Sequence, residues 1–241
     1  MNQHQFLVSA IVSVYNSGRF IRGLLEDLIA QSLYKKNLLE IIVVDTASEH
    51  DEASVVRHYQ QRYKNISYIR TEDRKTVYAA WNIGIKHSSG KYITNANTDD
   101  RHSPIALERL AMTLEAMPDV ALVYADVYVT ERPNEVFEDA DPSKRYYWYD
   151  WDRQTLLDKG CFIGPQPIWR RSVHEEYGYF DESLVVSGDA EFWLRISQTN
   201  KFYHIREPLG LYLKRPDSIE HSNQQRRDYE NLKIITAYRE A

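Results

Sequence analysis

Segments of strand and helix character alternate about five times over residues 1–130, which predicts an α/β fold on a mostly parallel sheet flanked by helices. Two observations carry this expectation. Apolar runs of strand length recur at 6–14 (FLVSAIVSV), 40–44 (EIIVV), 66–70, 92–95 and 120–129. Between them apolar residues recur at helical spacing, as in Phe20, Ile21, Leu24, Leu25, Leu28 and Ile29.

The elements follow in order. Ser17 is placed to cap the first helix, and residues 52–63 and 77–87 read as the next two. Ser103-Pro104 offers a cap and a first-turn proline for a helix running to 117. After residue 130 the rhythm breaks: residues 131–152 are rich in acids and aromatics and contain Pro133 and Pro142, which predicts an irregular excursion. A short helix at 153–159 and a proline-punctuated stretch at 164–169 come next. A helix at 189–198, strand-like pieces at 202–205 and 209–213, and a closing helix from 223 complete the chain. No internal repeat or linker marks a second domain, so the 241 residues, 43% of them hydrophobic, read as one unit with one substantial core.

Composition removes several function classes. A net charge of −5 with acids and bases interspersed argues against a nucleic-acid-wrapping protein. Cys161 is the only cysteine, which rules out an internal disulfide and agrees with a reducing compartment. The apolar run at 6–14 lacks a basic leader, and no stretch approaches the ~20 apolar residues that span a bilayer. The expectation is a cytoplasmic protein with no transmembrane segment, whose membrane contact, if any, is peripheral at the inner face.

In parallel sheets ligands bind beyond the carboxyl ends of the strands. Here those ends carry Tyr15 and Asn16, Asp45, residues 70–74 and residues 97–100. The run at 91–100 drives a short strand into Asp99 and Asp100. Paired carboxylates there suit a hard cation, magnesium or manganese, shared with substrate phosphates, although an acidic turn reads the same in isolation.

Four stretches then match one pattern in order and spacing: VSAIVSVYNS (8–17), EIIVVDTAS (40–48), WNIGIKHSSGKYITNANTDD (81–100) and SGDAEFWLRIS (187–197). With YGYFDES (177–183) they resemble the inverting family 2 glycosyltransferases of the GT-A fold. The resemblance implies a Rossmann-like sheet with a nucleotide-sugar-binding half at 1–130. The half at 131–241 would bind the acceptor and carry the catalytic base. It implies a UDP-, GDP- or dTDP-linked donor, a glycan or lipid-linked acceptor, inversion at the anomeric carbon, and a role in surface polysaccharide synthesis. Oligomeric state stays open.

The family's roles carry over residue by residue. Asp45 stands where an acid binds the base or ribose, with Val14, Tyr15 and Asn16 beside the base and Arg74 near base or phosphate. Asn97 replaces the first acid of the usual Asp-x-Asp, which leaves Asp99 as the first metal ligand and Asp100 as the second. Asp189, opening a helix, is the candidate general base, since a carboxylate within hydrogen-bond reach can take the proton of an attacking hydroxyl. Gln166, Trp169 and Glu191 are candidates for acceptor contact. Tyr146, Tyr147, Trp148, Tyr149 and Trp151 form either a sugar platform or a loop packed on its own rings. Near the end of the domain relatives carry a metal-reaching histidine, and Arg215 occupies that place; arginine cannot bind a metal but can pair with diphosphate. His221 is a further metal candidate.

Two rival enzymes fit poorly. A nicotinamide oxidoreductase needs a glycine-rich turn after the first strand, where this chain has Tyr15-Asn16-Ser17-Gly18-Arg19. A sugar nucleotidyltransferase is closer in fold but needs a glycine-rich, basic loop after its first strand, which this chain lacks. The alternative that remains is a nucleotide-sugar-binding domain without activity, or one module of a larger polysaccharide-synthesising assembly.

Overall fold

The computed structural model describes residues 5–218 and 222–239. A nine-stranded mixed sheet forms its centre, in the order β3-β2-β1-β4-β8-β6-β9-β5, with β7 paired to β6. Strands β1 (Val8–Val14), β2 (Leu39–Asp45), β3 (Ile66–Arg70) and β4 (Tyr92–Asn95) are mutually parallel neighbours. Strand β6 (Val120–Thr130) is parallel to β9 (Lys201–Leu213). Three short strands, β5 (Arg101–His102), β7 (Arg145–Tyr146) and β8 (Ile168–Arg170), pair antiparallel.

Alternation along the strands sends side chains to opposite faces, and both faces are covered. Val8, Ala10, Val12 and Val14 of β1 and Leu39, Ile41 and Val43 of β2 pack on one side. There they meet α1 (Ile21–Ala30), the single turn α2 (Ser32–Lys35), α3 (Glu52–Gln60) and α5 (Ala106–Ala116). Ile11, Ile42 and Val44 point to the other side. That face is closed by α4 (Val77–His87), α6 (Arg153–Lys159), the short α7 (Val173–Tyr177), α8 (Gly188–Ile196) and α9 (Gln224–Arg239). Gly84 lets α4 lie against β1: a Cβ there would fall 2.4 Å from a methyl of Ile11.

Several boundaries differ from the sequence expectation. Helix α1 starts at Ile21, and Ser17 holds it through its backbone carbonyl, which accepts from the amides of Phe20 and Ile21. Its hydroxyl instead donates to the carbonyl of Tyr15. Helix α5 likewise starts at Ala106, with the Ser103 carbonyl accepting from the Ala106 amide. The stretch at 164–169 runs into β8, three residues that fill the gap between β4 and β6. The pieces at 202–205 and 209–213 are one strand, interrupted where Ala125 pairs with Ile205 but Asp126 pairs with Pro208. The two extra residues form a bulge, which is how a strand tolerates proline.

This order sets the direction of the site. Since β8 is antiparallel to both β4 and β6, those two strands run the same way, and β9 runs with β6. The carboxyl ends of β1, β2, β3, β4, β6 and β9 therefore share one edge.

Candidate active site

Asp45 ends β2 fully buried. Its Oδ1 accepts from the Ser48 amide at 2.8 Å, and its Oδ2 accepts from the Tyr68 hydroxyl at 2.5 Å and the Arg70 guanidinium at 2.6 Å. Burial alone would raise its pKa, but these hydrogen bonds and the Arg70 charge outweigh it and hold the carboxyl below its ordinary value. Beside it, Asn16 takes the left-handed backbone region, φ 50°, and its side chain accepts from the Glu49 amide at 2.8 Å. The turns after β1 and β2 are thus stitched together. Val14 is buried, and the half-buried Tyr15 carries the Arg74 guanidinium 4.1 Å above its ring. These expected donor-side residues lie on one part of the edge.

The acidic pair sits one strand further. Asp99 and Asp100 point different ways: the carboxylate of Asp99 is 17% exposed, whereas Asp100 as a residue is 2% exposed. Oδ1 of Asp100 accepts from the Leu213 amide at 3.1 Å, and Oδ2 accepts from the Asn97 amide group at 3.1 Å. Burial, reinforced by the Asp99 charge, pushes Asp100 well above the usual carboxylate range. Both carboxylate oxygens of Asp100 are taken up by the Leu213 amide and the Asn97 side chain, so in this arrangement it ties the turn to the end of β9. Arg101, also buried, donates to the carbonyls of Thr98 and Asp100 and to Asn134, which fixes the turn from beneath.

Arg215 follows β9 and reaches Asp99. Its Nε donates to Asp99 Oδ2 at 2.8 Å, and its Nη1 pairs with Asp217 at 2.9 Å. Asp217 also accepts from Arg19 at 2.5 Å. The ligand set for a hard cation is therefore thin. Asn97 is neutral, Asp100 is turned inward, and Asp99 is already ion-paired. Among the described residues no group of three or more His, Cys, Asp or Glu side chains converges to hold a metal. The described residues thus offer a divalent ion a single carboxylate that is already ion-paired, and His221 lies outside them.

Asp189 is the second residue of α8, with Ser187 in the cap position. Its Oδ1 accepts from the Ala190 amide at 2.9 Å and lies 3.2 Å from the Tyr78 hydroxyl, which donates to the Val186 carbonyl at 2.7 Å. Burial, with the Asp189 charge added, raises Tyr78 well above its ordinary pKa, so it remains a donor. Because α4 follows the carboxyl end of β3, its first turn, and Asp189 with it, sits on the same edge as Asp45 and Asp99. From the last helix Glu230, 1% exposed, accepts from the amides of Val185, Val186 and Ser187.

The three acceptor candidates have partners within the fold. Trp169 is fully buried, and its indole donates to His174 at 2.9 Å inside the aromatic core. Gln166 is buried and donates to the Arg101 carbonyl at 2.9 Å. Glu191 is held by Arg195 and by the Tyr238 hydroxyl at 2.7 Å, so it joins α8 to α9. In the aromatic segment Trp148 and Trp151 pack on the core, whereas Tyr146, Tyr147 and Tyr149 are exposed. The segment is anchored by Asp126, which accepts from Arg145 at 2.7 Å and the Trp148 amide at 3.0 Å. Tyr78 and Glu230 are contributors that sequence reading missed, whereas Arg70 was already marked by its place at a strand end.

A helix-flanked, mostly parallel sheet with its polar residues on the carboxyl edge is a fold of the GT-A type. The model of Glycosyl transferase family 2 matches residues 9–178, and the chain belongs to that family. It is 26% identical over 208 residues to an uncharacterized glycosyltransferase of Methanocaldococcus jannaschii, covering 86% of this chain and 70% of that protein. It is 26% identical over 214 residues to glycosyltransferase AglE of Haloferax volcanii, covering 87% and 67%. Two solved structures share the fold. TarS 1-349 of S. aureus in complex with UDP-GlcNAc superposes with a TM-score of 0.77 at 18% identity, covering 97% of this chain and 66% of that one. Mannosyltransferase PcManGT of Pyrobaculum calidifontis, in complex with GDP-Man and Mn2+, gives 0.71 at 20% identity, covering 95% and 63%. The chain thus spans about two thirds of these relatives. Among the described residues no helix is long and apolar enough to cross a membrane.

Proposed function

We propose that this protein transfers a sugar from a nucleoside-diphosphate sugar to an acceptor hydroxyl with inversion at the anomeric carbon. The observation that carries the reading is the gathering of Asp45, Asp99 and Asp189 on one sheet edge. The nucleoside lies between Asp45, Asn16 and the Tyr15–Arg74 stack, and the diphosphate lies toward the turn at 97–100. Residues 1–130 supply this donor side, and residues 131–241 supply Asp189 and the acceptor side.

Asp189 takes the proton of the acceptor hydroxyl as its oxygen bonds to the anomeric carbon. The carbon–oxygen bond to the diphosphate breaks on the opposite face, and its electron pair leaves with the nucleoside diphosphate. Backside attack inverts the centre. Tyr78 steers the carboxylate without competing for the proton. The donors bound by TarS and PcManGT support a UDP- or GDP-sugar, and a surface glycan is the acceptor class this reading favours.

The test is nucleotide release from UDP-, GDP- and dTDP-sugars in the presence of candidate acceptors. Asp189→Asn is expected to lower turnover by roughly 10²- to 10⁴-fold, the range for loss of a general base, with donor binding retained. Turnover unchanged in that variant would remove Asp189 from the mechanism. Donor binding without release under any condition would return the non-catalytic alternative.

A further inference from the structure

At the diphosphate end of the edge the positive charge comes from the chain itself. Arg215 and Arg19 flank Phe20, their guanidinium carbons 5.3 and 4.5 Å from its ring centre. Asp217 joins the two arginines, and Asp99 holds the Nε side of Arg215. These four groups, two arginines and two aspartates, sum to zero charge before any ligand arrives. A divalent cation at Asp99 would meet one carboxylate already neutralised and a permanent guanidinium charge beside it, a repulsive contact within a partly buried site. A diphosphate would share the Arg215 guanidinium with Asp99 and Asp217, and charge-assisted N–H···O contacts from guanidinium to phosphate oxygen are of the strong class.

We propose that Arg215, oriented by Asp99, neutralises the diphosphate leaving group, so that donor binding and transfer by this protein do not require a divalent cation. The inference rests on the nucleotide-sugar reading above. As the bond from the anomeric carbon to phosphate oxygen breaks, the negative charge collected by the departing nucleoside diphosphate falls beside Arg215, the proton from the acceptor remaining on Asp189. Asp99 is then a positioning residue, holding the guanidinium at this turn.

Calorimetric titration of the full chain with UDP, GDP and dTDP, once in EDTA and once in manganese, separates the possibilities without using turnover. At least one nucleotide is expected to bind with affinities in the two buffers that agree within about threefold, a difference below 1 kcal/mol. Arg215→Gln should weaken that binding in EDTA by about tenfold or more, as expected for a charge-assisted contact, with Arg215→Lys intermediate. Arg215→His should make binding manganese-dependent. Binding by the parent protein that vanishes in EDTA and returns with manganese overturns the inference and leaves the glycosyltransferase reading standing. Binding of none of the three in either buffer overturns both. The EDTA comparison uses the parent protein alone, so a variant that fails to fold does not shelter the proposal.

Discussion

Gly188 precedes the candidate base and owes its identity to Tyr78. A Cβ there would fall 2.7 Å from two atoms of the tyrosine ring, closer than packed atoms tolerate. Gly188→Ala must move either the ring or the start of α8, and both carry Asp189. Turnover is expected to fall by roughly 10- to 100-fold, as small misplacements of a reacting group do, while nucleotide affinity stays near that of the parent. An equal loss of nucleotide affinity would show that the substitution disrupts the whole edge. At this scale the acids were legible because Asp45, Asp99 and Asp189 stand at strand or helix ends, where side chains meet ligands. The direction each one faces was not. Asp100 turns inward because an amide 113 residues away waits for it, and Asp99 meets a guanidinium 116 residues away.

Among the elements, α9 has the least obvious purpose from sequence, since only Glu230 and Ile234 of its sixteen residues are buried. Yet Glu230 receives three successive amides from the turn that delivers Asp189, and Arg226 pairs with it at 2.6 Å. Burial would raise its pKa, but Arg226 and the amides prevail and keep it below the ordinary value. Glu230→Ala leaves those amides without their acceptor. Each buried, unpaired group costs about 1–3 kcal/mol, and the turn should relax to recover some of it. The expected signature is a fall in kcat with a smaller change in donor KM, recovered in part by Glu230→Gln, which keeps one acceptor oxygen. Loss of stability with kcat unchanged would assign Glu230 to folding alone. Long amphipathic elements such as α1 and α4 were readable from period and spacing. Strand β8 was not, because three residues after a proline carry no periodicity, and only the pairing partners on both sides make them a strand.

At the scale of the molecule the aromatic core beneath α8 is expected to lose stability in acid. His174 stacks on Phe192 at 5.0 Å, accepts from Trp169 through Nε2, and faces the Gly178 carbonyl with Nδ1 at 2.9 Å, the pattern of a neutral ring. Burial lowers its pKa to about 4, with Arg195 and Arg171 adding to the effect against the Gly178 hydrogen bond. An unfolded histidine titrates near 6.5, so as pH falls the unfolded chain takes the proton first. Stability held above pH 6.5 is therefore lost between about 6.5 and 4, at up to ~1.4 kcal/mol per pH unit. Urea unfolding at pH 6.5 and 5 should differ by up to about 2 kcal/mol from this group, and His174→Gln should flatten the difference. An unchanged slope in the variant would place the acid sensitivity elsewhere.

The position of β8 also governs how the molecule is made. A ribosome releases β4 and β6 long before residues 168–170, the strand that joins them. At 5–20 residues per second, synthesis of residues 131–170 takes roughly 2–8 s, and for that interval the nascent chain carries open strand edges at both positions. A chaperone that shields such edges, or a translation rate tuned across that stretch, would therefore alter the yield of folded enzyme without touching any residue of its site.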